Sequence, residues 1–401
     1  ACSNETTYTI VPPASTPAKQ VTVVQPTPLT PTPTPVAQQQ LPQGLLKSDY
    51  PVLDWVFSVD CGQGANSLNS GPMNGALAYD SAAWLYPSDG HLVTGGQRCD
   101  QTALVQQAKQ QGVAALMTVG IDSSWSALAA AQYIDRAASQ PQVPCTPQAS
   151  TDICAIVNWA VAGGYTGVII DYEIVKGDYP DIARKFADYM RELQIALHQK
   201  GLLCGIALIH RIGDSQRTDP SYYGNSFEDW RQLSELDFLV VMVVDQDLSQ
   251  GKPGPLVSTP WVDAQLDYIW HTVPQILSKI IFEFPLYGRE WVRDAQGHWQ
   301  HVGDQTCPQI SASKASYTLL SGTSTDPGTP EYAWNDASGQ RHEVWYDTNA
   351  SLIAIMTQLQ SQARSLLNNP RYRLPTSFWY RGAECPGFFG PGNALETFYK
   401  Q

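Results

Sequence analysis

From about residue 50 onward, short and almost continuous apolar runs alternate with segments of helical periodicity. Apolar runs that lack a polar face are typical of parallel strands covered on both sides. Eight such runs, most of them followed by a turn and a helical segment, fill about 350 residues. This pattern predicts an α/β fold, a (β/α)8 TIM barrel. The predicted strands span 52–59, 75–85, 113–119, 167–173, 202–209, 238–245, 279–287 and 376–380.

The segment 181–199 illustrates the predicted helices. Pro180 stands near its start and Gly201 just past its end, as the preferences of helix termini favour. Five apolar residues recur at a helical spacing and fall on one face. These are Ile182, Phe186, Met190, Leu193 and Leu197.

The connection after the seventh predicted strand is too long for a simple loop. About 60 residues rich in Gly, Ser, Thr and Trp separate it from a helical segment near Ser351, and a loop of this length normally carries structure of its own. Short β-like pieces occur at 297–302, 332–334 and 342–346. We expect 289–346 to form a small α+β insertion that walls one side of the barrel mouth.

Residues 1–48 have a different character from the rest of the chain. They hold nine prolines, and the Thr/Pro repeat at 26–35 is followed by three glutamines. Proline fixes φ and removes a hydrogen-bond donor, so this segment favours extended polyproline II and builds no core. We expect a tail or linker that tethers the barrel domain, 49–401, to a cell envelope or supports self-association.

Composition narrows the function classes. The net charge of −13 argues against a nucleic-acid partner, because phosphate binding needs a basic face. No apolar run approaches the roughly 20 residues that span a bilayer. Ala1 and Cys2, followed by Ser, Thr and Pro, suggest a chain whose signal peptide has been removed, so we expect a secreted or cell-surface protein. Whether Cys2 is lipidated or disulfide-bonded stays open.

The eight cysteines show no CxxC pair and no spacing typical of zinc. Scattered buried thiols are one interpretation, but export favours disulfides, with Cys145–Cys154 as the preferred short-loop pair. Asp245 and Asp247 are too few oxygen ligands for calcium. We therefore predict neither a metal nor a cofactor.

The most informative stretch is the fourth predicted strand with the residues before it, Gly-Tyr-Thr-Gly-Val-Ile-Ile-Asp-Tyr-Glu at 164–173. Alternate residues of a strand share a face, so Ile169, Asp171 and Glu173 point together toward the barrel lumen. Glu173 then lies at the carboxyl-terminal rim, where barrel enzymes have their active sites. Two carboxylates on one face do not both ionise cheaply, so one keeps its proton and serves as an acid near neutral pH.

These residues resemble the fourth-strand signature DGxDxDxE of the family 18 glycoside hydrolases, the chitinases and their relatives. Four further segments resemble family motifs in the same order: 238–245 the sixth strand, 281–291 the seventh, 342–347 the exit from the chitinase insertion domain, and 377–382 the eighth. The resemblance covers about 50–400 and is nearest to the branch with spore-cortex and peptidoglycan-active members.

The resemblance implies retaining hydrolysis of β-1,4 bonds next to N-acetylglucosamine, in which the N-acetyl oxygen of the substrate replaces an enzyme nucleophile. Glu173 would protonate the glycosidic oxygen, Asp171 would orient the acetamide, and Asp245 would add electrostatic support. Tyr287 would line the pocket, and Trp379 would form its apolar floor. The motif segments also supply the remaining predicted substrate-binding residues, Met242, Arg289 and Trp291.

Several positions depart from the family pattern. Thr166 and Ile169 replace the first two signature aspartates, and Val244 replaces a tyrosine expected to hydrogen-bond the acetamide. The loss of one such positioned donor typically costs about 10²–10³ in rate. The expected partner is an N-acetylglucosamine-containing polysaccharide, and the departures imply that its hydrolysis is slow, redirected to another glycan or lost. The alternative is a non-catalytic glycan-binding or structural surface protein on the same barrel.

Overall fold

The structure is a computed structural model that describes residues 41–57, 75–85, 90–93, 101–121, 125–140, 144–173, 181–217, 228–317 and 331–401. The predicted tail lies outside the described residues as far as residue 40, and with it the predicted tether. Within 41–48, the side chain of Leu45 is fully buried among the residues that fill the barrel lumen.

Eight parallel strands close into a barrel, so the predicted (β/α)8 fold is confirmed. The sheet order is β1-β13-β8-β7-β6-β5-β4-β2, and pairing of β1 with β2 closes the ring. Each of the eight strands overlaps an apolar run identified in the sequence, and β4 extends two residues past the end of its predicted run. The ring strands are β1 (Val52–Phe57), β2 (Ala76–Leu85), β4 (Ala114–Ile121), β5 (Gly167–Tyr172), β6 (Leu203–Ile209), β7 (Phe238–Met242), β8 (Ile280–Pro285) and β13 (Thr376–Trp379), while the short β3 (Leu92–Val93) runs antiparallel to β2.

Helices cover the outside of the ring. Threonine side chains cap three of the described helices: Thr151 accepts a hydrogen bond from the amide of Cys154, while Thr306 and Thr348 form reciprocal capping boxes with Gln309 and Ser351. The segment predicted to be helical at 181–199 is a helix. The described α-helices are α1 (Gln101–Gln110), α2 (Ala127–Ser139), α3 (Asp152–Gly163), α4 (Ile182–His198), α5 (Gln246–Gln250), α6 (Thr259–Thr272), α7 (Cys307–Ser316), α8 (Asn349–Leu366) and α9 (Ala394–Tyr399).

The ring strands are buried on both faces, which explains their continuous apolar sequence. On β5, Val168 and Ile170 pack in the outer core under the helices, whereas Ile169 packs in the lumen. The lumen is filled tightly: a Cβ on Gly205 of β6 would lie 2.3 Å from the ring of Phe238. The lower lumen is therefore a solid core, and only the upper end is free to hold a ligand.

A second sheet follows β8 directly. Its four antiparallel strands, in the order β10-β9-β12-β11, are β9 (Tyr287–Arg293), β10 (Trp299–Thr306), β11 (Glu331–Asn335) and β12 (Arg341–Tyr346). It has a small core of its own, made by Ile310, Tyr332, Trp334, Val344 and Tyr346. Because β9 continues from β8 after a single residue, Leu286, this sheet stands beside the carboxyl-terminal end of the barrel.

Two disulfides occur in the described residues. The predicted pair Cys145–Cys154 is confirmed, and Cys307–Cys385 joins the start of α7 to the segment after β13. Cys204 is a buried free thiol within β6. The other three cysteines lie outside the described residues. None of the described helices is both long and apolar enough to cross a bilayer.

Candidate active site

The end of β5 carries the two acidic residues of the signature. Tyr172 points outward, where it is buried and its hydroxyl lies 2.8 Å from that of Tyr189. Asp171 and Glu173, on either side of it, line one pocket at the barrel mouth. Asp171 is half-buried and Glu173 is exposed. The alternation of the strand thus puts two carboxylates of unequal solvation next to the same space.

This pocket has a volume of about 330 Å³, at the lower end of the range for ligand-binding cavities. Ends of β1, β5, β6, β7, β8 and β13 and the start of the second sheet all contribute to it. Its lining residues are Trp55, Asp171, Glu173, Ile209, His210, Met242, Val244, Asp245, Leu248, Glu283, Tyr287, Arg289, His301, Asp304 and Trp379.

Asp245 lies where β7 has ended and α5 has not yet begun. Its backbone adopts a left-handed conformation with φ of 66°, and β7 ends at Met242 rather than continuing to 245. Its carboxylate accepts a hydrogen bond from the hydroxyl of Tyr287 and a 2.7 Å ion pair from Arg289. Burial, followed by the nearby charge of Asp245, raises the pKa of Tyr287 well above its usual range, so the phenol stays a donor.

Arg289 is the centre of the wall that the second sheet presents to the pocket. Its guanidinium is almost fully buried and pairs with Asp247 at 3.0 Å and with Asp304 at 3.0 Å, in addition to Asp245. The fork of donors in arginine suits several carboxylates at once. Arg289 therefore holds the acidic residues of this wall in place, and its charge is shared among three anions.

Asp247 is the innermost of these anions. Its carboxylate is fully buried and also accepts hydrogen bonds from Trp291 Nε1 at 3.2 Å and from the amide of Leu248 at 2.9 Å. Burial raises the pKa of Asp247 to about 7, and Asp245 adds to this shift against the pull of Arg289. One carboxyl of the cluster is therefore partly protonated near neutral pH.

Trp379, at the end of β13, provides an aromatic face. It is half-buried and meets Trp55 edge-to-face at 5.6 Å between ring centres. Phe378, the preceding residue, packs outward in the core under the helices. Successive side chains of β13 therefore point to opposite faces of the sheet, as they do on β5. Trp379, whose indole enters the pocket, is the residue that the resemblance assigns to the floor of the sugar site.

Of the predicted site residues, all but one line the pocket. Asp171, Glu173, Met242, Asp245, Tyr287, Arg289 and Trp379 do so, whereas Trp291 lies behind the wall. Its side chain is buried and its indole nitrogen is turned to Asp247, so the prediction that it contacts substrate gains no support from its position. Asp304, His301 and Glu283 were missed. Only Glu283 had a sequence signal, because the alternation of β8 puts it in the lumen.

The departures from the family pattern fall at two depths. Val244 lines the pocket and presents an apolar side chain beside Asp245. Ile169 is fully buried in the lumen below Asp171. Thr166 precedes β5, where its hydroxyl accepts a 3.2 Å hydrogen bond from the amide of Ala115. Val244 is therefore the departure that changes the surface a ligand meets.

Acidic side chains dominate this region, yet they do not form a metal site. Among the described residues, no group of three or more His, Cys, Asp or Glu is arranged to hold a metal ion. Around Arg289 the carboxylates face a guanidinium instead.

Sequence comparison finds three curated relatives, all from Bacillus subtilis. The putative sporulation-specific glycosylase YdhD is 26% identical over 215 residues, 53% of this chain and 48% of YdhD. The uncharacterized glycosylase YvbX is 24% identical over 212 residues, 52% of this chain and 57% of YvbX. The cortical fragment-lytic enzyme is 24% identical over 205 residues, 50% of this chain and 44% of the enzyme. The matches thus span about half the length of these relatives. No family model matches the chain.

Solved structures cover more of the chain. The chitinase from Chromobacterium violaceum superposes with a TM-score of 0.65 at 20% identity, over 88% of this chain and 98% of the chitinase. The spore cortex-lytic enzyme SleL of Bacillus cereus gives a TM-score of 0.64 at 17% identity, over 87% of this chain and 74% of SleL. The resemblance predicted from the motifs is confirmed at the level of the fold: the chain has the barrel of the family 18 chitinases and of the spore cortex-lytic enzymes.

Proposed function

We propose that this protein is an exported glycosidase that cleaves β-1,4 bonds next to N-acetylglucosamine by substrate-assisted, retaining hydrolysis. The observation that carries the proposal is the pair Asp171 and Glu173, which line one pocket from the same face of β5. The relatives support it, because they are glycosylases, chitinases and cortex-lytic enzymes by description. The two disulfides are compatible with export.

Glu173 is suited to the role of general acid. It is the more exposed of the two carboxyls and stands at the rim, where the bond between two sugar rings can reach it. In its protonated form it donates the proton to the glycosidic oxygen as the bond to the anomeric carbon breaks. The leaving sugar departs with that proton, and water later returns one to Glu173.

Asp171 stands deeper in the same pocket and faces the position of the N-acetyl group. In its ionised form it accepts the amide N–H, so the acetamide oxygen is directed at the anomeric carbon and the oxazolinium charge is stabilised. Asp245 and Tyr287, joined by a hydrogen bond, line the same pocket just after the ends of β7 and β8. Trp379 offers its ring to the apolar face of the sugar.

Arg289 acts on the protein rather than on the sugar in this scheme. Its three ion pairs hold Asp245, Asp247 and Asp304 in fixed positions. Met242 adds apolar contact area beside the pocket, and Val244 leaves the acetamide without the hydroxyl that the family pattern supplies. We expect hydrolysis to be slower than in relatives that have the tyrosine, by about 10²–10³.

The experiment is release of reducing ends from N-acetylated chitooligosaccharides and from peptidoglycan glycan strands. The full chain is compared with Glu173→Gln, and Glu235→Gln is the matched control, because Glu235 is exposed and precedes β7 at the opposite end of the barrel. We expect Glu173→Gln to lose hydrolysis of the better substrate while calorimetry still detects oligosaccharide binding. Wild-type activity in this variant would remove Glu173 from the mechanism.

The same experiment decides the second candidate, a non-catalytic glycan-binding protein on this barrel. Val244 and Ile169 favour it, since both replace polar residues of the family pattern. Binding of the oligosaccharide without any release of reducing ends by the full chain would establish this alternative in place of the glycosidase.

A further inference from the structure

A carboxylate that none of the roles above employs lies beneath the candidate active site. Glu283 is in the middle of β8 and only 3% exposed. Its neighbours Phe282 and Phe284 pack in the outer core, while Ile281 packs in the lumen, so Glu283 faces the lumen and lines the pocket. Placing a carboxyl group in such an apolar interior costs several kcal/mol unless it is neutral or has partners.

The strand register places Glu283 slightly lower in the lumen than Asp171. Extending the pairing of β5 with β6 by one residue puts Asp171 beside Ala207, which pairs with Val240, which in turn pairs with Ile281. In an eight-stranded barrel with a shear of 8, residues at one height advance by about one position per strand. The height of Asp171 therefore falls about three positions beyond Ile281, so Glu283 faces the lumen about one position lower than Asp171, three strands round the ring from it.

Other buried polar groups surround this level of the lumen. Thr118, Trp55 and Ser377 are each at most 1% exposed, and their side-chain polar atoms have no hydrogen-bond partner within the part of the chain that the structure describes. Ser377 is the register neighbour of Glu283 on β13. Buried hydroxyl and indole groups are normally satisfied, so three such groups in one part of the lumen mark a polar level where a protonated carboxyl or a bound water finds hydrogen-bond partners.

The balance of acidic and basic residues in the pocket indicates whether Glu283 is protonated. The other acidic residues that line it are Asp171, Glu173, Asp245 and Asp304, whereas the arginine and histidines that line it among the described residues are Arg289, His210 and His301. Arg289 is already shared by three carboxylates. A buried carboxyl near other carboxylates in a largely apolar lumen tends to keep its proton.

We propose that Glu283 is a positioning residue for Asp171: it stays protonated and donates a hydrogen bond to Asp171, directly or through a water molecule held by Thr118 and Ser377. The bond keeps Asp171 ionised and turned to the acetamide. Glu283 retains its proton throughout. It takes the place of the carboxylate that the signature has at the position of Ile169, but from another strand. This inference rests on the proposed function.

The test compares Glu283→Ala with the isosteric Glu283→Gln on a chitooligosaccharide, with kcat and KM measured across pH. Without the donor, Glu283→Ala should lose about 10- to 100-fold in kcat with KM changed less than about 3-fold. The acidic limb of its profile of kcat against pH should move up by about one pH unit, because Asp171 becomes harder to ionise. Glu283→Gln keeps a donor, so its kcat should stay within about 3-fold of the parent and its acidic limb should not move.

An acidic limb that stays in place in Glu283→Ala, or equal damage in both variants, would overturn the inference. A second readout is independent of turnover: ¹³C NMR titration of labelled carboxyl groups in the full chain. The pKa of Asp171 should rise in Glu283→Ala and stay in place in Glu283→Gln. If the parent protein shows no hydrolysis, the proposed function fails while this titration still decides the role of Glu283; an unchanged Asp171 titration in both variants refutes that role.

Discussion

The two acidic walls of the pocket are built differently. On β5, Asp171 and Glu173 face the pocket from a strand end. After β7 and on the second sheet, Asp245, Asp247 and Asp304 gather around the buried guanidinium of Arg289. The first wall has acidic groups of unequal solvation, suited to proton transfer. In the second, three carboxylates share one guanidinium in a fixed hydrogen-bonded network. We infer that the first wall carries the chemistry and the second holds its shape.

The largest effect is expected when the second wall loses its cation. Arg289→Met leaves three carboxylates without their shared partner, two of them largely buried, so the free energy of unfolding should fall by about 3–5 kcal/mol. Urea denaturation measures this change. The matched control is Arg293→Met on the same strand, an exposed residue whose loss should cost less than about 0.5 kcal/mol. Equal losses in the two variants would show that the Arg289 cluster has no special structural role.

A substitution on the first wall is expected to impair catalysis rather than stability. Asp171→Asn should lower kcat by about 10²–10³, because the amide no longer stabilises a positive charge beside the acetamide. The free energy of unfolding should change little. The control is Asp188→Asn, on the surface of α4, where Asp188 pairs with Arg184 and Arg191. A kcat within about 3-fold of the parent would assign the chemistry elsewhere.

The pH dependence of stability separates the walls further. Since the folded state raises the pKa of Asp247 to about 7, it binds more protons than the unfolded state between about pH 4 and 7. The unfolding free energy contributed by this group therefore falls as pH rises through that window, by up to about 1.4 kcal/mol per pH unit. Asp247→Asn should remove this decline.

Urea denaturation of both proteins at several pH values measures this fall in the free energy of unfolding. Burial also raises the pKa of Asp54 to about 6, but that contribution is the same in both proteins and cancels in their difference. Parallel curves for Asp247→Asn and the parent would contradict the assignment of the titration to Asp247.

The smallest effect concerns the floor between the walls. Trp379→Ala should raise KM for an N-acetylated oligosaccharide by about 2- to 10-fold, which corresponds to the stacking energy of one aromatic ring. Trp299→Ala, on β10 in the second sheet, removes an indole that does not line the pocket and should leave KM unchanged. An equal rise in both variants would mean that Trp379 does not contact the sugar.

The barrel was predictable because its strands are short apolar runs, and every ring strand was found where such a run occurs. The ends were less predictable. The run 238–245 is continuous, but the strand stops at Met242, and Asp245 adopts a left-handed backbone conformation. In the second sheet, β10 extends to Thr306 through polar residues whose strand character depends on pairing with β9. Such pairing leaves no periodic signal in the sequence.

In the site, too, residues that follow a local sequence pattern were predictable and residues brought together by packing were not. Asp171 and Glu173 follow from the alternation of a single strand, and Asp245 and Tyr287 follow from motif resemblance. Two of the partners of Arg289 could not be predicted from the sequence. Asp247 and Asp304 are 42 and 15 residues away from it in sequence, and the packing of the second sheet brings them together. Trp291 shows the converse: its motif suggested a sugar contact, but its indole is committed to Asp247.

The anomeric configuration of the first product tests the roles assigned to Asp171 and Glu173 most directly. ¹H NMR taken early in the hydrolysis of an N-acetylated chitooligosaccharide reports the anomer before mutarotation mixes the two forms. If the acetamide, directed by Asp171, attacks the anomeric carbon while Glu173 protonates the leaving oxygen, the new reducing end is β. An excess of the α anomer would mean that water attacks directly and that the proposed division of labour on β5 is wrong.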